Sequence, residues 1–207
     1  MTLEFVREVA ARAGAVLAEG AFHSHQAERK RTNVDLVTDY DKRSEALIVA
    51  AIRARFPDDT IVAEESAPAM ASAGDGRRWL IDPLDGTTNF AHGLPFFCVS
   101  IGLEVAGRAE LGVVTAPALG WTFFGARGQG AFLSIGQAAR LADGKRLSVS
   151  ATEMLQDSLL ATGFPYDNAT SPKNNFDEFV RLYKKTQGIR RAGAAALDLC
   201  MTAAGWR

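Results

Sequence analysis

A chain of 207 residues with 47% hydrophobic residues has enough apolar material for one large domain or two closely packed ones, and its formal net charge of -1 offers no overall basic surface for holding nucleic acid. The cysteines, Cys98 and Cys200, lie far apart in apolar surroundings with no Cys/His metal spacing, which fits buried thiols in a reducing cytoplasm rather than a disulfide framework. Glu4, Arg7 and Glu8 interrupt the amino-terminal apolar pattern, so it lacks a signal-peptide core, and no apolar run is long enough to span a bilayer; a cytoplasmic protein is expected.

Val6, Val9, Ala10, Ala13, Val16 and Leu17 recur at helical spacing and predict an amphipathic helix over about residues 3–20, with Gly20 as its stop. A second helix is expected after Thr38, with Asp41 in its first turn near the positive end, Leu47, Ile48, Ala51 and Ile52 on one face, and Pro57 beyond its end. Thr60-Ile61-Val62-Ala63 reads as a short strand carrying Glu64 and Glu65 at its tip, and Trp79-Leu80-Ile81 carries Asp82 in the same way. Residues 67–76, rich in small side chains, read as a loop between them. Residues 96–133 are β-branched, aromatic and punctuated by glycine, which predicts successive antiparallel strands. After a turn at about residues 142–145, a strand at 147–150, a strand at 158–162, a helix near 174–186 and a helix from about Gly193 alternate in α/β fashion. A soft boundary near 145 divides an N-terminal α+β subdomain, residues 1–145, from a partial C-terminal α/β subdomain, residues 146–207.

The most informative stretch is Asp82-Pro83-Leu84-Asp85-Gly86-Thr87-Thr88-Asn89-Phe90. An apolar strand feeds into carboxylates three positions apart, an unfavourable arrangement unless a cation sits between them. The amides and hydroxyls of Gly86, Thr87 and Thr88 follow where a helix can begin, and such a turn offers donors and a positive dipole to a phosphate. Mg²⁺ takes hard oxygen ligands and usually keeps waters, so Glu64, Asp82, Asp85 and the Leu84 carbonyl suit it, with Asp82 bridging two ions. Asp41 and the Thr87 hydroxyl are the candidates for handling an attacking water.

Taken singly, each group also has a plain structural reading. Asp-Pro and Asp-Gly are common turn dipeptides, Glu64 and Glu65 could be a solvated strand end, and Asp41 could be an ordinary first-turn acid. Arg190 and Arg191, just before Gly193, could draw a phosphate or simply form a solvated face. His23 and His25 read as exposed helix-end residues, and His92 as a minor pocket candidate.

The chain resembles the inositol monophosphatase family, close to its bacterial members. The stretches that carry the likeness are Asp35-Leu36-Val37-Thr38-Asp39-Tyr40-Asp41, Ala63-Glu64-Glu65-Ser66, Trp79 through Phe90, Gly128-Gln129-Gly130-Ala131-Phe132 and Ala161-Thr162-Gly163-Phe164-Pro165-Tyr166, in order along the chain. The resemblance implies a layered αβαβα sandwich of the inositol monophosphatase and sugar phosphatase type, and Mg²⁺-dependent hydrolysis of small phosphate monoesters by a homodimer. By matching position, Glu64, Asp82, Leu84 and Asp85 would bind metal, and Asp41 and Thr87 would act on the water. Leu84, Asp85, Gly86 and Thr87 would meet the substrate, Gly193, Ala194 and Ala195 would shape its wall, and Lys30 would approach the site.

Family members continue past the final helix into a Trp-Asp motif whose aspartate completes the second metal site, whereas this chain stops at Trp206-Arg207, so a C-terminally truncated fold with a weakened second ion is expected. Inositol monophosphate or a similar polyol phosphate is the expected substrate, with fructose 1,6-bisphosphate, histidinol phosphate and nucleotide phosphates open. The alternatives are a regulatory binding protein of ribosomal-RNA transcription complexes, as some bacterial relatives are, and a catalytically impaired homologue; direct nucleic-acid or membrane binding is not expected.

Overall fold

The computed structural model describes residues 2–23, 28–29, 36–65, 76–136, 144–167 and 169–206. The first helix, α1 (Thr2–Gly20), buries Val6, Val9, Ala10, Ala13 and Leu17, the stripe its periodicity predicts. A short pair, β1 (Glu28–Arg29) and β2 (Leu36–Val37), precedes α2 (Asp39–Arg55), whose inner face buries Ile48 and Ile52. Lys30 and His25, like most of the expected loop at 67–76, lie outside the described residues.

The centre is a mixed seven-stranded sheet in sequential order: β3 (Thr60–Ala63), β4 (Arg77–Asp85), β5 (Cys98–Val105), β6 (Arg108–Ala116), β7 (Trp121–Ala126), β8 (Gly130–Ile135) and β9 (Lys145–Arg146). All neighbours pair antiparallel except β3 with β4, which run parallel. The pleat sends alternate side chains to opposite faces. Val99, Ile101, Leu103, Val113 and Phe124 therefore pack with α1 and α2, while Cys98, Ala116, Phe123 and Leu133 pack on the other face with Leu197.

Leu197 belongs to α5 (Ala195–Ala203), which lies on that second face. Beyond it come the parallel pair β10 (Leu159–Ala161) and β11 (Gly188–Arg190), and then α4 (Phe176–Tyr183), which packs Phe176 and Phe179 on Phe164. The succession of helices, sheet, helix, strands and helix is the expected layered α/β sandwich. Three details differ from the sequence reading, the first being that β4 does not end at Ile81 but runs on to Asp85, with Asp82 paired to Ser100 of β5. The strand expected at 147–150 ends earlier, at Arg146, with only the Leu147 amide continuing the pairing to the Ala131 carbonyl at 2.9 Å. The three residues of β11, too few to show a period, pair with β10 in the stretch between the two expected helices, to which the sequence reading assigned no element. Among the described residues no helix is long and apolar enough to cross a membrane.

Candidate active site

Parallel pairing of β3 with β4 sets Ala63 against Ile81, so the next residues, Glu64 just past the end of β3 and Asp82 within β4, stand side by side. The Glu64 amide continues the ladder by donating to the Ile81 carbonyl at 3.2 Å. Desolvation, then the nearby Glu64 and Asp85 charges, push the Asp82 carboxyl up to about 8. A buried acid this far above its ordinary value is one that its surroundings do not neutralise. Each strand tip is anchored from α2: the Ser44 hydroxyl donates to the Pro83 carbonyl at 2.9 Å, and the Glu45 carboxylate accepts the Glu65 amide at 2.7 Å. Ser44 and Glu45 escaped the sequence reading, although two polar residues on the inner face of an amphipathic helix are a detectable signal.

Asp41 performs two tasks. As the third helical residue of α2 it closes a capping box, its Oδ2 accepting the Thr38 amide at 2.8 Å and the Thr38 hydroxyl at 2.6 Å. Its Oδ1 lies 3.1 Å from the Thr87 hydroxyl, which also lies 3.0 Å from the Leu84 carbonyl. The structure thus joins Asp41 and Thr87 across 46 positions of sequence. Burial raises the Asp41 carboxyl, against the lowering effect of its bonds to Thr38 and Thr87.

Gly86 adopts φ +93°, the left-handed conformation that lets β4 turn directly into α3 (Thr87–Ala91), and a Cβ there would come within 2.9 Å of the Phe96 carbonyl. Asp85, just before the turn, reaches across to the C-terminal segment: its Oδ1 accepts the Ala195 amide at 3.1 Å and its Oδ2 the Ala196 amide at 2.6 Å. The buried Cys98 thiol stands 3.7 Å from the same Oδ2. Desolvation raises the Asp85 carboxyl while the α5 amides oppose the rise; burial likewise raises both thiols, Cys200 to about 12. Both cysteines are free.

These groups line one cavity of about 450 Å³, bounded by Glu64, Asp82, Leu84, Asp85, Gly86, Thr87, Thr88, Tyr166, Arg191, Gly193 and Ala195. Ala194 is buried beside Gly86 and supports the wall from behind. Arg191 and Tyr166 bring a cation and a phenol to the rim, while His23 and His92 are exposed and absent from the lining among the described residues. A larger hollow of about 690 Å³ runs along β5–β8 against α5, but glycines and apolar residues such as Val114, Phe123 and Ala203 dominate it, without convergent polar groups.

Among the described residues no three Asp, Glu, His or Cys side chains are gathered into a ready-made metal cage, and the Asp85 carboxylate is engaged by the α5 amides. The donor set still suits a hard cation that keeps its own waters: Glu64 and Asp82 adjoin, the Leu84 carbonyl opens on the same cavity, and the raised Asp82 carboxyl marks an unneutralised concentration of negative charge.

The model of the inositol monophosphatase family matches residues 2–206. An inositol-1-monophosphatase of Synechocystis is 41% identical over 203 residues, a match covering 98% of this chain and 67% of that protein. A Pseudomonas aeruginosa protein named Nus factor SuhB is 45% identical over 175 residues, covering 83% of this chain and 61% of that protein. Thus the chain spans about two thirds, or somewhat less, of the length of these relatives. Among solved structures, an inositol monophosphatase from Anabaena superposes with a TM-score of 0.82 at 42% identity, covering 99% of this chain and 71% of that one. One from Thermotoga maritima gives 0.83 at 35% identity, with 99% and 73% covered.

Proposed function

The chain belongs to the inositol monophosphatase family, and from that premise we propose that it is a Mg²⁺-dependent phosphomonoesterase acting on inositol monophosphate or a related small polyol or sugar phosphate. The observation that carries this reading is the placing of Glu64, at the end of β3, beside Asp82 of β4, with the Asp82 carboxyl pushed up to about 8 in a cavity that also holds a Gly-Thr-Thr turn. Glu64, Asp82 and the Leu84 carbonyl would hold one ion, with Asp85 serving a second. Bound Mg²⁺ would supply positive charge to the phosphate oxygens and make a water more acidic.

The remaining chemistry lies with the chain's own groups. With its proton directed to Asp41 Oδ1 or the Leu84 carbonyl, Thr87 Oγ1 has lone pairs free to accept a hydrogen bond from a water in the cavity. As that water attacks phosphorus and the bond from phosphorus to the alcohol oxygen breaks, its proton passes to Thr87 Oγ1 and the Thr87 proton to Asp41 Oδ1, whose raised carboxyl is suited to receive it, while the departing alcohol oxygen takes a proton from a solvent water and leaves as the free alcohol. The turn amides at Gly86 and Thr87 hold the phosphate, while Gly193 and Ala195, backed by Ala194, bound the space for the alcohol. Arg191, on the rim of an otherwise acidic cavity, draws an anionic substrate in.

The test is phosphate release from inositol 1-phosphate by the purified chain during titration with Mg²⁺ and then with a chelator. Release should appear with Mg²⁺ and vanish with the chelator; a folded chain that releases none at any Mg²⁺ concentration overturns the reading. A second reading, a role in transcription complexes, rests on the relatives named Nus factor. Stable capture of transcription factors by a chain without turnover would favour it. The phosphatase reading includes a homodimer in the cytoplasm, which sedimentation at micromolar concentration and cell fractionation would check.

A further inference from the structure

We propose that Asn89 is a positioning residue, a strap that fixes the Gly193–Ala195 wall against the phosphate-holding turn; the proposal rests on the phosphatase reading of the cavity. Asn89 lies in α3, directly after the Gly86-Thr87-Thr88 turn, and has no place among the metal-binding or water-handling groups. Its Nδ2 donates to the Phe96 carbonyl at 2.7 Å and to the Ala192 carbonyl at 2.8 Å, the latter across 103 positions of sequence. Both protons of the side-chain amide are thereby used, one on each side of the junction.

Everything around this amide is fitted closely. Gly193, one residue past the strapped carbonyl, has φ +92°, and a Cβ there would come within 2.9 Å of Asn89 Nδ2. A Cβ on Gly86, at the start of the turn, would come within 3.3 Å of both the Gly193 carbonyl and the Ala194 methyl. The Asn89 carbonyl accepts the Leu94 amide at 2.9 Å, which ties the backbone of α3 to the loop leading to Phe96. One planar amide therefore connects the turn that would hold phosphate, the loop entering β5 and the wall that would meet the alcohol. Glu64 and Asp82 owe their positions instead to the β3–β4 ladder and to α2. This division separates alignment of substrate from capture of the ion at Glu64 and Asp82, whereas Asp85, bonded to the Ala195 and Ala196 amides, belongs to the strapped side.

The experiment compares wild type with Asn89→Ala and Asn89→Asp. KM for inositol 1-phosphate should rise about tenfold or more in Asn89→Ala, because a shift of about 1 Å in a substrate wall costs this much or more, while kcat falls less. Affinity for the ion held by Glu64 and Asp82, the tighter step in a Mg²⁺ titration by calorimetry, should stay within about twofold, because neither carboxylate depends on the strap. Asn89→Asp keeps the shape but turns acceptors onto two carbonyls, so its KM should be at least as high as that of Asn89→Ala. Amide hydrogen exchange gives a readout independent of turnover: exchange at 193–196 should accelerate in Asn89→Ala while the β3 amides stay unchanged. Unchanged KM and unchanged exchange at 193–196, or an equal loss of Mg²⁺ affinity, overturns the strap. A wild-type chain without turnover refutes the phosphatase reading instead, and the exchange arm still decides the strap. If both Asn89 variants fail to fold, Gly193→Ala presses on the same junction from the opposite side and should produce the same KM and exchange changes; its failure to do so overturns the proposal.

Discussion

Of the three helices that begin at the candidate site, α2 and α5 have their amino termini satisfied in opposite ways. For α2 the groups are local: Thr38 and Asp41, three positions apart, exchange bonds within one turn. The start of α5 has no side-chain cap of its own, Ala194 standing where a capping residue would; its first amides are taken by Asp85, 110 positions earlier for Ala195. The local cap makes the Asp41 side of the site self-supporting. The distant one ties the Asp85 side to docking of the C-terminal segment, so that a carboxylate lining the cavity also steadies a helix. Between them, Asp82 caps neither helix, and burial beside Glu64 and Asp85 pushes its carboxyl up to about 8.

The sharpest test of this contrast removes the charge that holds no helix. Asp82→Asn should lower turnover by at least about a hundredfold, several kcal/mol of transition-state stabilisation, while thermal denaturation of the metal-free protein stays level or rises. A folded Asp82→Asn protein with near-normal turnover would remove the metal role from the strand tips.

The next effect is in the pH dependence of the metal-free chain. Folded Asp82 keeps its proton up to about 8, whereas the unfolded residue loses it near 3.8, so the folded state binds the extra proton in between and stability falls as pH rises through that window. Asp41 and Asp85, also raised, add in the same direction. Urea unfolding in chelator should show a decline on the order of 3 kcal/mol across the window, after allowance for water at the cavity mouth. Saturating Mg²⁺ should flatten the decline, and Asp82→Asn should remove most of it. A metal-free stability that climbs from pH 4 to 8 would contradict the buried-charge account.

Smallest, and closest to the comparison itself, are the two cap removals. Asp41→Ala strands buried donors and should cost about 2 kcal/mol of global stability. Asp85→Ala should cost about 1 kcal/mol, with exchange rising selectively in α5 while α2 is unchanged. If Asp85→Ala loosens both helices equally, the division into a local and a borrowed cap is wrong.

Much of this architecture was legible in the chain. The stripe of α1, the Thr38 start of α2 and the alternation of β5–β8 are local patterns, and local backbone physics reads them directly. The three-residue β11 and the shortened pairing at Lys145–Arg146 were not legible, because segments this short take their conformation from a neighbouring strand rather than from periodicity. In the site, the sequence singled out Asp41, Glu64, Asp82, Asp85 and Thr87, whereas Ser44, Glu45 and Asn89 came to notice only through partners lying 7 to 103 positions away.

By itself the sequence determined the chemical inventory: hard oxygen donors beside apolar strands, a Gly-Thr-Thr turn, and a helix start after Thr38 with Asp41 in its first turn. These follow from composition and spacing over a few residues. Tertiary structure alone decided that Glu64 meets Asp82, that Thr87 reaches Asp41, and that Asp85 turns to the amides of α5. The reason is physical: strand register and helix docking are settled by burial of a shared core among segments distant in sequence, and no local window contains the free energy of that choice.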